Sequence, residues 1–145
     1  MKTNFGLIAC LILLLTACST IKKTPHNTVD DKINNISWSV ISFKGKMLDA
    51  KDFASGLPIL IFSMQDGKIS GNDGCNNFMG VATYNGNSIA TGAIATTRMA
   101  CPGNTIQNDF YDFLASKNLS WRLDNNAILR LYVNDAEVMA LKERE

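Results

Sequence analysis

One histidine, His26, stands in a chain of 145 residues, so a Ser-His-Asp triad or a His-rich metal site has almost nothing to be built from. Charge of either sign is not in excess: 14 Lys and Arg face 13 Asp and Glu. There is no basic surplus to neutralise a phosphate backbone and no acidic surplus of the kind that keeps tails disordered, so nucleic acid is excluded as a partner. The length leaves room for one domain rather than two. Long apolar runs are also scarce. The one present, Phe5 to Leu15, has eleven residues and reaches only about 17 Å as a helix, against about 30 Å of hydrocarbon core. It is too short to span a membrane.

What surrounds that run gives it another meaning. Met1-Lys2 is a positive start, the apolar stretch follows, and Leu15-Thr16-Ala17-Cys18 closes it, the order of a secretory signal over residues 1–17. The Leu-Thr-Ala-Cys end resembles a bacterial lipobox, in which cleavage falls before the cysteine and that residue is lipidated and acylated. Cys18 is thus the expected lipid attachment site, the alternative being an ordinary signal with a chance cysteine. Ser19 in the next position resembles the sorting signal for the outer membrane. Several acyl chains, at about 0.8 kcal/mol per buried methylene, hold a protein permanently, so the domain itself then needs no membrane-binding surface. Loss of Lys2 with the signal leaves 13 basic and 13 acidic side chains, a neutral mature chain.

Residues 18–35 turn polar, with Lys22-Lys23, Pro25, Asp30-Asp31 and Asn34-Asn35, and read as a lipidated N-terminus and flexible linker of about 20–25 Å reach. His26 lies here and reads as inert. The folded domain is expected over residues 36–145. Apolar stretches alternate there with Gly, Asn and Asp, the pattern of a mostly antiparallel sheet or barrel. Expected strands are Ile36 to Phe43, Ile59 to Met64, Lys68 to Gly71, Val81 to Tyr84, Ser88 to Ala90, Ala93 to Thr97, Leu119 to Leu123, Ile128 to Val133 and Glu137 to Leu141. Asp66-Gly67 and Asn85-Gly86-Asn87 are hairpin signals, and Asn125-Asn126 and Asn134-Asp135 are weaker ones. One segment breaks the alternation: Ile106, Phe110, Phe113 and Leu114 fall on one stripe of a helix over Asn104 to Lys117, with Asn104 as N-cap and Asn118 as left-handed exit. Trp38 and Trp121 read as core. The fold class is therefore α+β, a curved, barrel-like antiparallel sheet packed against one helix.

Cys75 and Cys101 are the cysteines of the domain, and in a compartment where thiols oxidise they can pair only with each other. Two buried thiols are the alternative; a redox pair would sit two residues apart at a helix start. Cys75 lies in Gly71-Asn72-Asp73-Gly74-Cys75-Asn76-Asn77-Phe78-Met79-Gly80. This loop lacks the Gly-Lys-Ser/Thr of a phosphate cradle and the acidic spacing of a calcium loop, and reads as structural. Arg98 is the charge next to the second cysteine, with Asp73 or Asp109 as its candidate partners and solvent as the other reading.

Together these residues carry a resemblance. Gly74-Cys75-Asn76 with Gly80, then Thr97-Arg98-Met99-Ala100-Cys101, then a helix with Phe113 and Leu114, resembles the META domain family of HslJ-like bacterial lipoproteins, over about Ile36 to Leu141. The resemblance implies a small curved sheet with one helix and implies that Cys75 and Cys101 are the family's cysteine pair. It brings no established enzymatic reaction or cofactor, and two cysteines without a histidine make a weak metal site. Many relatives carry a Glu in the first turns of the helix, where this chain has Gln107, Asn108 and Asp109.

The expected function is that of a non-catalytic cell-envelope lipoprotein, acting in envelope stress tolerance through an envelope protein partner, as a monomer anchored to the membrane by its lipid. The alternative is a binding module holding a small apolar ligand or acyl chain in the barrel mouth beside the helix. An enzyme is the weakest reading: Ser63 or Ser70 would lack a histidine base, and no carboxylate pair stands out by spacing.

Overall fold

The computed structural model describes residues 32–102 and 106–145. The signal, Cys18, His26, most of the expected linker and the expected N-cap Asn104 lie outside the described residues.

Among the described residues nine strands form one antiparallel sheet: β1 Ser37–Phe43, β2 Lys46–Met47, β3 Ile59–Ser63, β4 Lys68–Asn72, β5 Asn77–Asn85, β6 Ser88–Thr96, β7 Leu119–Leu123, β8 Ile128–Val133 and β9 Ala136–Glu143. Neighbours in the chain are neighbours in the sheet except that β1 lies between β3 and β9, with the short β2 extending its end. The pairing of β1 with β9, Trp38 opposite Glu143 through Phe43 opposite Met139, closes the sheet into a ring. Alternation along each strand explains the closure. Trp38, Val40, Leu60, Phe62, Ile69, Leu129, Leu131 and Leu141 point inward and are nearly or fully buried, so the long strands turn their apolar sides to one common interior, while the short β2 is exposed.

The ring has a seam. Strands β6 and β7 share only the pairs Ser88–Ser120 and Ile89–Leu119. The chain between them forms α1, Gln107–Leu114, and this helix fills the gap. Phe110 sits 5.7 Å from Phe78 and 6.3 Å from Phe43, and Phe113 meets Phe43 edge-on at 6.2 Å. The Thr91 hydroxyl donates to the Leu114 carbonyl, tying the helix end to β6. The stripe Phe110, Phe113 and Leu114 is buried as the spacing predicts. The helix is shorter than the expected span. Ala115 ends it, Ser116 N–H turns back to Phe113 O, and Asn118 takes the left-handed conformation at φ 63°.

Other boundaries also differ from the sequence reading. The expected linker ends early: Ile33 is fully buried, and its carbonyl accepts the Trp38 indole N–H at 3.3 Å. Asn34 Oδ1 accepts Met64 N–H at 2.8 Å, and Asn35 N–H donates to Phe62 O at 2.8 Å. One buried apolar residue, the Asn34 side chain and the Asn35 backbone N–H thus dock the chain beside β1 and β3, and the domain begins at Ile33 rather than Ile36. The two strands expected around Gly92 are one, β6, because a bulge carries the ladder through: Gly80 pairs Ile94 and Ala82 pairs Thr91, which places one extra residue on β6 between those pairs. β2 was not expected. It arises because Lys44 and Gly45 both take positive φ, 49° and 76°, in a tight hairpin.

The β7–β8 turn shows how one carboxylate can set a loop. Asp124 Oδ1 accepts the N–H groups of Asn126 at 2.9 Å and Ile128 at 3.0 Å, while Oδ2 accepts from Arg130 Nε at 3.1 Å. The left-handed residue is consequently Ala127, φ 57°, and neither Asn125 nor Asn126. The Ile128 N–H, then the Asn126 N–H and the Arg130 guanidinium, hold the Asp124 carboxyl below the usual carboxylate range against the opposing effect of burial. A carboxyl whose folded-state value lies below its unfolded one contributes stability above the unfolded value and loses it as pH falls through the folded value. Asp124→Asn is therefore expected to be less stable than wild type near neutrality. The gap should close as urea titrations move from about pH 6 to about pH 3.

Candidate functional site

The densest polar cluster of the described residues lies where the β4–β5 loop meets the stretch after β6. Asp73 and Asn76 are buried there, 2% and 7% exposed. Asp73 Oδ1 accepts from Cys75 N–H at 2.9 Å and Asn76 N–H at 2.6 Å, the geometry of an Asx turn, and Oδ2 accepts from the Tyr111 hydroxyl at 2.8 Å. Burial first, then the hydrogen bond to Asp73 and its charge, push the Tyr111 phenol above its usual range, so this hydroxyl stays protonated and keeps donating. Asn76 does the complementary work across the loops. Its Oδ1 accepts from Met99 N–H at 2.7 Å and from the Thr97 hydroxyl at 3.0 Å, and its Nδ2 reaches Cys101 Sγ at 3.1 Å. Cys75 and Cys101 are joined in a disulfide, with their Cα atoms 5.9 Å apart.

The structure thus brings together Gly74, Cys75, Asn76, Thr97, Met99 and Cys101. Gly74, at φ 95°, turns the loop so closely over Phe53 that a Cβ would come within 2.4 Å of its ring. Gly80 stands apart on β5, where a Cβ would meet Ile94 Cγ1 at 2.9 Å; its absence lets β5 and β6 close up above the bulge. Arg98 is exposed and does not take either carboxylate that its position suggested. Asp73 is held by Tyr111 and backbone N–H groups, and Asp109, at the start of α1, pairs with Lys44 Nζ at 2.8 Å. The solvent-facing reading of Arg98 is the correct one.

Two residues of the cluster were not recognised in the sequence as members of it. Asp73 precedes two residues whose N–H groups it caps, and an Asp before Gly-Cys-Asn is the sequence mark of such a turn. Tyr111 lies beside the apolar stripe of α1, where helical spacing alone does not select it.

Chemically, the arrangement is a clasp: both carboxylate oxygens of Asp73, and Oδ1 and Nδ2 of Asn76, are engaged by the protein itself. Among the described residues no three His, Cys, Asp or Glu side chains gather as a metal-holding group. Asp73→Ala, which leaves two backbone N–H groups and the Tyr111 hydroxyl without an acceptor, is expected to cost about 3 kcal/mol of unfolding free energy in denaturant titrations. Asp73→Asn, which keeps an oxygen for the N–H groups, is expected to cost less than half of that. Equal losses would show that charge, rather than acceptor geometry, holds the turn.

A second feature lies on the outer wall. A groove of about 360 Å³ runs across β4, β5 and β6, lined by Met79, Val81, Ala93 and Ala95 with Ser63, Ser70 and Lys68 at its polar side. A shallower one of about 330 Å³ continues it past Met79 to Thr97. Neither lies in the barrel mouth beside the helix. Phe43, Phe78, Phe110 and Phe113 pack against one another where α1 meets the sheet.

The family model described as META domain matches residues 31–145. Two solved structures are similar in fold. An NMR structure of a protein from Burkholderia xenovorans has a TM-score of 0.62 and 20% identity, covering 83% of this chain and 90% of that one. A second NMR structure has a TM-score of 0.60 and 22% identity, covering 77% and 92%. No curated protein matches the sequence.

Proposed function

Because the chain belongs to the META domain family, we propose that it is a non-catalytic lipoprotein of the cell envelope, anchored through Cys18 at the outer membrane and contributing to envelope stress tolerance through contacts with an envelope protein. The observation that carries this reading is the clasp. The residues most characteristic of the chain, Asp73, Cys75, Asn76, Thr97 and Cys101, are spent on one another, and their bonds hold loops together rather than present a reactive group to solvent. A disulfide-tied scaffold of this kind suits an oxidising compartment. The Leu15-Thr16-Ala17-Cys18 sequence supports the anchor, and the polar stretch after it supplies a tether.

The test has two parts. Intact mass of the protein extracted from its own membranes is expected to show cleavage before Cys18 and acyl chains on it; an unacylated product overturns the anchor. A deletion strain is expected to become more sensitive to envelope-damaging antibiotics and to recover with the wild-type gene but not with a Cys18→Ala variant. Unchanged sensitivity overturns the envelope role.

A further inference from the structure

The wall made by β3 to β6 differs from the rest of the barrel surface in charge. From Ile59 to Thr97 the chain has three charged residues, Asp66 in a turn, Asp73 buried, and Lys68 on the wall. From Leu119 to Glu145 it has nine. Those nine include Arg122 paired with Asp135, and Arg130 paired with Asp124 and Glu137, on the outer surface of β7 to β9 and its turns. The opposite wall instead exposes Met79 at 63% and Val81 at 62%, flanking the groove with Ala93 and Ala95. Exposed apolar side chains gathered along one groove, rather than scattered singly, make this wall a candidate contact surface.

Two further observations choose the cover. The first is where the chain enters. Ser63, which lines the groove, donates its hydroxyl to Asn35 Oδ1 at 2.8 Å, so the segment before Lys32 joins the domain beside this wall. In the sequence, Lys32 follows the proposed anchor Cys18 by fourteen positions. The second is charge: the groove's one ionic lining residue is a cation, Lys68, suited to an anionic headgroup. Strand addition by a protein partner is disfavoured at the neighbouring edge, because the β6 bulge at Gly92 and Ala93 interrupts the ladder where a new strand would pair.

We propose that the outer wall of β3 to β6 is a membrane-docking face: Met79 and Val81 enter the boundary between headgroups and acyl chains, and Lys68 meets a lipid phosphate. This goes beyond the anchor, for which the domain needs no such surface, while resting on the reading that the chain is held at a bilayer. The contact is weak by itself, and the tether supplies the local concentration that makes it persist.

The test uses the full chain, purified with its N-terminus as the cell leaves it and bound to vesicles of phosphatidylethanolamine and phosphatidylglycerol. A nitroxide is attached at Met79→Cys or, as the control on the opposite wall, at Lys142→Cys. On vesicle binding the ratio of oxygen to nickel-chelate accessibility is expected to rise roughly threefold at position 79 and to stay unchanged at position 142. Vesicle-bound protein with both probes equally exposed to the chelate overturns the docking face and leaves the anchor standing. Failure to bind vesicles at all overturns both. Shielding of the position 79 probe before vesicles are added assigns the wall to a second copy of the chain and overturns the proposal.

Discussion

Replacing Cys75 and Cys101 together by serine is expected to lower the unfolding free energy by about 3.5 kcal/mol, the chain-entropy value for closing a loop of this size. The sequence separation of the disulfide is 26 residues, and its loop takes in all of β5 and β6. In the unfolded chain the bond therefore removes freedom from a quarter of the domain's length. In the native state it binds the β4–β5 loop to the stretch that leads into α1, the same two segments that Asn76 joins by hydrogen bonds. A loss of this size is a large share of what holds a small domain together. Denaturant titration of wild type and the double variant measures it, with the far-ultraviolet spectrum reporting whether the ring stays closed. A loss below about 1 kcal/mol would mean that the Asn76 bonds hold the loops without the sulfurs.

Gly71→Ala is expected to be as damaging or more so, by about 4 kcal/mol, for a steric reason. A Cβ at this position would lie 1.9 Å from Ile59 O and 2.8 Å from Ile59 C, both backbone atoms of the neighbouring strand. Nothing flexible is available to yield, so β4 would have to separate from β3 at the Leu60–Gly71 pair, where the two strands enclose Leu60, Phe62 and Ile69. Gly92→Ala is the matched control. A Cβ there meets its nearest atom at 3.6 Å, an ordinary contact, and the expected change stays within about 0.5 kcal/mol. Similar losses at both positions would refute the steric account.

The strands were legible wherever one side faces the interior. Leu119–Leu123 and Ile128–Val133 have the ends the alternation predicts, because Leu119, Trp121, Leu129 and Leu131 are buried while the residues between them are not. β5 was read too short, as Val81 to Tyr84, because Phe78-Met79-Gly80 sits inside a glycine-rich stretch that also makes the loop; the strand there is held by pairing to β4 and β6, which local pattern does not encode. Ile33 escaped notice for a related reason. A lone isoleucine among polar residues has no period, and only its place beneath Trp38 buries it. The cysteine and asparagine positions of the clasp were visible as a motif, whereas the Asp73–Tyr111 bond spans 38 residues and depends on how α1 seats in the seam.

The ring closes between its first long strand and its last, β1 against β9, so the pairing that completes the barrel joins residues about a hundred positions apart. A chain made from its N-terminus delivers Met139 to Glu143 after every other strand of the sheet. Until then β1 has an open side, and the buried row of Leu129, Leu131 and their neighbours lacks one flank. High contact order of this kind slows folding and keeps an emerging chain loose until β9 arrives. A truncation that removed only the final seven residues would therefore not shorten the barrel. It would leave the cylinder unsealed along its whole height.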